Sequence, residues 1–171
     1  MIKSEKKIKE LAVILDKDNN ILISEAIGLL REEQPFEGAI GLLAAFYDST
    51  QDNLIRKSIE GFMNDIKDQS AIKEIITEIR KQLKPSTINM LVSSCWQSGL
   101  NYSEYSSDLT EIFLKGDYLT AVECLTVIEE SVHELSIAKK DKIIKTIKKN
   151  PVSPVDEKAA LTLELILIHS R

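Results

Sequence analysis

The sequence predicts an all-α protein made of about five helical hairpins, ten helices in all. Three observations predict it. Apolar residues recur at three- and four-residue spacing along almost the whole chain, the period of a helix with one buried side. The four prolines, Pro35, Pro85, Pro151 and Pro154, each stand where such a period stops. Residues suited to opening a helix recur about every 33 positions. No alternating apolar and polar run bounded by hairpin turn signals competes with this pattern.

The hairpins follow in order as one domain over residues 1–171. The first, residues 1–34, opens at Ser4; its second helix opens at Asn20 and offers Leu22, Ala26 and Leu29 as a buried stripe. The second, 35–68, opens at Glu37 with Ala39, Leu43 and Phe46, then at Asp52 with Ile55, Ile59 and Phe62. The third, 69–101, opens at Ser70 with Ile72, Ile76 and Ile79, then at Ser86 with Ile88, Val92 and Cys95. The fourth, 102–135, opens at Ser103 with Tyr105, Leu109 and Ile112, then at Asp117 with Ala121, Leu125 and Ile128. The fifth, 136–171, opens at Ser136 and again at Ser153, with Leu161 continuing the apolar column. Ser, Asp and Asn suit these starts because their side chains accept an orphan backbone N–H. Each triplet sits at i, i+4 and i+7 and so forms one stripe. Gly28, Gly61 and Ser94 keep the same spacing and predict close helix approach.

The stretch Gln51-Asp52-Asn53-Leu54-Ile55-Arg56-Lys57-Ser58-Ile59-Glu60-Gly61-Phe62 resembles the second helix of HEAT-like and armadillo-like repeats, with Asp52, Ile55, Arg56, Ile59 and Phe62 matching. The stretches from Ser86 and Asp117 keep the apolar spacing without the arginine. The resemblance implies a right-handed α-α superhelix whose second helices line a concave binding surface. Function does not follow from such a fold.

Helix geometry alone assigns candidate contact residues, because the side opposite each buried stripe stays open. On the second helices that side carries Asn53, Arg56, Lys57, Glu60 and Asn64; then Asn89, Met90, Ser93 and Gln97 with Trp96 at the boundary; then Glu123, Thr126, Val127 and Glu130. Asn, Ser, Gln and Glu around the only tryptophan suit a polypeptide ligand, with Trp96 as an amphipathic anchor or as a structural cap of the apolar seam. Charge is segregated. Residues 101–135 hold eight acids and one lysine, whereas 136–150 hold Lys139, Lys140, Lys142, Lys145, Lys148 and Lys149 against one aspartate. These lysines form a solvated helix face, pair with the acidic block, or meet an anionic partner. The last helix ends Leu161-Thr162-Leu163-Glu164-Leu165-Ile166-Leu167-Ile168, apolar enough for either a homodimer contact or a well-buried helix.

Composition narrows the function classes. The chain has 27 acids, 22 bases, a net charge of -5, 43% hydrophobic residues and 5% aromatics, which fits a soluble globular protein. No apolar run reaches the length of a membrane span, and a cytoplasmic protein is expected. Cys95 and Cys124 lie inside apolar helical patterns and read as buried thiols. His133 and His169 are 36 residues apart, and no metal, phosphate-loop or nucleophile-elbow motif occurs. The expectation is a non-catalytic interaction scaffold with no cofactor and a protein or peptide partner. The alternative within the same resemblance is a nucleic-acid-binding protein such as a DNA glycosylase for alkylated bases. It is disfavoured because phosphate contacts need clustered Lys and Arg.

Overall fold

A computed structural model describes residues 1, 3–17, 19–33 and 35–170. It is all-α: ten α-helices and three short 3-10 turns, with no strand among the described residues. The helices are α1 (Glu5–Leu15), α2 (Asn20–Glu32), α3 (Ala39–Ser49), α4 (Asn53–Asn64), α5 (Ile72–Ile79), α6 (Pro85–Gln97), α7 (Ser106–Lys115), α8 (Tyr118–Ser131), α9 (Ile137–Lys149) and α10 (Ala159–Ser170). They fall into two compact units, Met1–Leu100 and Asn101–Arg171. The hairpin boundary expected at residue 34 lies outside the described residues.

Unit 1 holds three hairpins in two layers. First helices pack on first helices, α1 on α3 and α3 on α5; second helices pack on second helices, α2 on α4 and α4 on α6. The core lies between the layers, with Leu43, Ile55, Ile59, Ile75, Leu91 and Val92 all at 1% exposure or less. Unit 2 repeats the scheme with two hairpins, α7 packing on α9 and α8 on α10. Each fully buried Ile, Leu or Phe side chain contributes about 1.5–3 kcal/mol of hydrophobic stabilisation.

Capping residues set most starts. Ser4 accepts from Lys7 N, Asp52 from Leu54 N and Ile55 N, Asp117 from Thr120 N and Ser136 from Lys139 N. Elsewhere the expected starts shift. The α2 cap is Asn19. The α3 cap is Gly38, at φ 94, a left-handed conformation that favours glycine. Ser70 and Ser103 open 3-10 turns, so α5 and α7 begin later. α6 begins at Pro85, whose missing N–H is harmless in a first turn. α10 begins at Ala159, not near Ser153: the chain turns first, and Asp156 Oδ1 accepts from Lys158 N at 2.8 Å just before the helix, while the Lys158 ammonium donates to the carbonyls of Leu114 (3.0 Å) and Gly116 (2.9 Å) at the C-terminal end of α7.

Two helix termini are satisfied by residues from the next or preceding hairpin. Glu74 on α5 accepts from Gly38 N at 3.0 Å and Gly41 N at 2.9 Å, placing a carboxylate at the positive end of α3. Asp48 on α3 accepts from Lys84 N at 2.8 Å and Thr87 Oγ1 at 2.7 Å at the start of α6. Burial works against ionisation of Asp48, but the hydrogen bonds from Thr87 and Lys84 outweigh it and hold the carboxyl below its usual value. Other polar pairs also join residues about one period apart. Asn20 donates to Asp52 at 2.6 Å, Arg31 pairs with Asp65, and Lys67 donates to the Ser98 carbonyl at 2.6 Å. In unit 2, Asn101 donates to Glu134 at 2.5 Å.

Three packing expectations need correction. On α2 the buried stripe is Ile23, Ile27 and Leu30, while Leu22 is 40% and Leu29 62% exposed. The helix is apolar along both stripes, so periodicity could not choose; packing on α4 does. Met90 and Val127, expected on open faces, are buried at 7% and 2%. Their helices bury a broad face, because a second helix meets both the first-helix layer and a neighbouring second helix. A Cβ at Gly61 would lie 3.0 Å from the Arg31 guanidinium, so close approach holds there, whereas Gly28 faces open space.

Two predictions follow from these contacts. Glu74→Ala removes an ionic acceptor for two α3 N–H groups, so we expect a loss of about 2 kcal/mol in urea unfolding. Lys73→Ala, exposed on the same helix, should stay within about 0.5 kcal/mol. His169 is the second case. It is 2% exposed, its Nδ1 bonds the Leu165 carbonyl at 2.7 Å, and its Nε2 has no partner among the described residues. Burial pushes the imidazole below its ordinary 6.5, the Leu165 bond opposes this, and the charge of Lys140 adds to it. The unfolded chain therefore binds this proton more readily than the folded one. Stability from neutral His169 is full above pH about 6.5 and falls below it. Thermal melts from pH 8 to 5 should show a step that His169→Gln lacks.

Candidate functional site

The candidate residues on α4 and α6 do come together, and their polarity is largely turned on one another. Asn64 Nδ2 donates to Gln97 Oε1 at 2.7 Å, and Gln97 Nε2 donates to Ser93 Oγ at 2.8 Å. The Arg56 guanidinium lies 4.1 Å from the ring centre of Tyr47 and reaches Ser86 Oγ at 3.5 Å. Tyr47 in turn donates its hydroxyl to Glu60 Oε1 at 2.7 Å. The result is a row of amides, a hydroxyl and one stacked cation across two successive second helices.

Exposure sorts the set. Asn53 and Gln97 are exposed; Arg56, Glu60, Asn64, Asn89, Ser93 and Trp96 are half-buried. Asn89 differs from its neighbours: its Nδ2 is buried and has no hydrogen-bond partner among the described residues. A buried amide donor left unpaired costs about 1–3 kcal/mol, so a turn of this side chain that brings Nδ2 to an acceptor at the surface is favoured. Glu123, half-buried, and Glu130, exposed, lie on α8 in unit 2.

Tyr47 was not singled out by the sequence, which offered only an aromatic at a helical core spacing. Burial, the Glu60 hydrogen bond and the Glu60 charge all raise its phenol above the ordinary value of 10.0, against the lowering effect of Arg56.

Further sites lie outside the second helices. A cavity of about 740 Å³ opens on the first-helix side of unit 1, lined by Ile8, Gly38, Leu42, Thr77 and the carboxylates Glu37, Glu74 and Glu78. Its strongest acceptor, Glu74, is already engaged by α3, and Glu78 is held by Lys81 at 2.6 Å. In unit 2 the six α9 lysines make no ion pair with an acidic side chain among the described residues. Pairing with the acidic block therefore does not neutralise them. Cys95 and Cys124 are both buried and carry no disulfide. Among the described residues no group of three or more His, Cys, Asp or Glu side chains is placed to hold a metal ion, and no helix is long and apolar enough to cross a membrane.

Comparison with protein-family models, with curated proteins and with solved structures returns no match to this chain.

The Tyr47–Glu60 bond yields a direct test. Tyr47→Phe keeps the ring under Arg56 and removes one hydrogen bond, so we expect a loss of about 1 kcal/mol. Because the folded phenol titrates above the unfolded one, the wild-type stability it supplies is present below pH about 10 and declines above it. The Phe variant should lack that alkaline decline in melts followed by circular dichroism.

Proposed function

We propose that this chain is a non-catalytic protein-interaction module of the HEAT-like or armadillo-like kind, taking a polypeptide along α4 and α6. The observation that carries this is Asn89: a half-buried amide, its donor unpaired, beside a row of side-chain amides. A peptide backbone presents carbonyl and N–H groups at regular spacing, and amide side chains recognise both. The Asn64–Gln97–Ser93 row supplies further donors and acceptors, and Trp96 offers ring area at the edge of the same helix. Glu60 beside this row favours a peptide with a basic residue. A cytoplasmic setting fits this reading, and it requires no cofactor.

Nucleic acid is the weaker reading. Helices α2, α4 and α6 carry only Arg31, Arg56 and Lys57 as bases. Arg31 is paired with Asp65 and Arg56 is stacked on Tyr47. That leaves little charge for phosphates, whose contacts dominate affinity for a duplex.

Selection from a displayed peptide library against the immobilised full chain, followed by anisotropy titration of dye-labelled selected peptides, tests the proposal. Selected peptides should lose about tenfold in affinity, roughly 1.4 kcal/mol, with Asn89→Ala and with Trp96→Ala. Peptides that bind both variants as well as wild type would place the site elsewhere. Tight, salt-sensitive binding of a labelled DNA duplex at physiological ionic strength would favour the nucleic-acid reading.

A further inference from the structure

Helix α9 buries Ile143 and Ile147 and turns lysine to solvent. At about 100° per residue, Lys142, Lys145 and Lys149 fall within about 60° of one another, on the side opposite that buried stripe. Lys139 and Lys148, also exposed, flank them on either side. Five exposed ammonium groups are thus spread along roughly 15 Å of one helix, at about 1.5 Å of rise per residue. None of them forms an ion pair with an acidic side chain among the described residues. The one acid of the helix is Asp141.

The makeup of this face selects among anions. Its exposed residues besides the lysines are Ile137, Ala138 and Asp141. It has no arginine fork for a bidentate phosphate, no aromatic ring for a base and no amide for a base edge. The cavity beside α9, lined by Thr146 and Asn150, adds no net charge, because Glu111 and Asp156 balance Lys115 and Lys158 there. The positive charge is therefore confined to the crest of one convex helix. A nucleic-acid strand is held in a positively charged groove. A crest of lysines fits a flat anionic surface, which asks for charge and for no pairing geometry. Ile137, 80% exposed in the first turn, adds an apolar group to the same half of the helix. It lies about 20° around the axis from Lys148, and an isoleucine with that much surface in water gains by entering a lipid interface.

We propose that α9 rests on the surface of a bilayer that contains anionic lipid, with Lys142, Lys145 and Lys149 facing the headgroups and Ile137 entering the interface. The helix lies on the surface and does not cross it. The chain's net charge of -5 opposes the contact only weakly. At physiological salt, charges farther than about 8 Å are largely screened, whereas the lysines touch the headgroups. The face shares no residue with the α4–α6 row, so this contact and peptide binding stand or fall separately.

Co-sedimentation of the full chain with vesicles tests this. The chain should bind phosphatidylcholine vesicles that contain phosphatidylserine, ignore pure phosphatidylcholine, and dissociate as salt is raised. A lysine at an anionic surface is worth about fivefold in partition, so Lys142→Gln/Lys145→Gln should weaken binding at least tenfold. Ile137→Asn should weaken it roughly threefold and leave the salt dependence unchanged. Lys9→Gln/Lys17→Gln, exposed on unit 1, removes the same charge and should change nothing. All three variants replace exposed side chains, and their helical circular dichroism should match wild type. A chain that ignores the phosphatidylserine vesicles overturns the proposal, as does binding that the α9 lysine variant keeps or the Lys9 and Lys17 control loses. So does a labelled duplex or polyglutamate that these lysines hold more tightly than the vesicles.

Discussion

A helical hairpin has one apolar side it can cover by itself and two it cannot. Everything else in this chain follows from the need for a neighbouring hairpin. The core of unit 1 is shared between hairpins, with α4 packed on both α2 and α6 and α3 on both α1 and α5, as expected where each unit needs its neighbours to bury its apolar sides. Apolar burial drives this stacking, at roughly 1.5–3 kcal/mol per side chain. The polar pairs one period apart do something different. Exposed ion pairs such as Arg31–Asp65 are worth about 1 kcal/mol or less, so they add little to stability. They choose the register, since a hairpin slipped by one residue would separate every such pair at once.

The same division shapes the surface. Across α4 and α6 the side chains spend most of their hydrogen bonds on each other, which keeps the row in place without a ligand. A polypeptide bound there, as proposed, would exchange bonds and not simply add them. The α9 lysines are the opposite case. All but Lys140 are exposed, and none is in an ion pair with an acidic side chain among the described residues; half-buried Lys140 adds its charge to the burial that lowers the proton affinity of His169.

The sequence made the class and the period legible, because caps and apolar stripes are local signals. Ser4, Asp52, Asp117 and Ser136 act as caps where the spacing placed them. Errors fell where a tertiary contact overrides a local one. α2 is apolar along two stripes, and only α4 decides that Ile23 goes in and Leu22 stays out. Ser153 has the spacing of a helix start, but the chain turns there and Asp156 accepts from Lys158 N, so the helix begins at Ala159. Of the candidate site, the residues on α4 and α6 were legible from the face they occupy. Their mutual hydrogen bonds were not, because spacing fixes a direction and not a partner. Tyr47 was hidden for the same reason: its hydroxyl matters only once Glu60 is beside it.

Asp48 shows what this borrowing means for motion. The first turn of α6 has no capping side chain of its own; its Thr87 and Lys84 groups are met by a carboxylate three helices upstream. Opening α3 therefore also strips the start of α6, and the amides of that turn should exchange with solvent at the rate of the preceding hairpin. A disturbance at one hairpin is felt as fraying in its neighbour, forward from α3 to the start of α6 through Asp48 and backward from α5 to the start of α3 through Glu74.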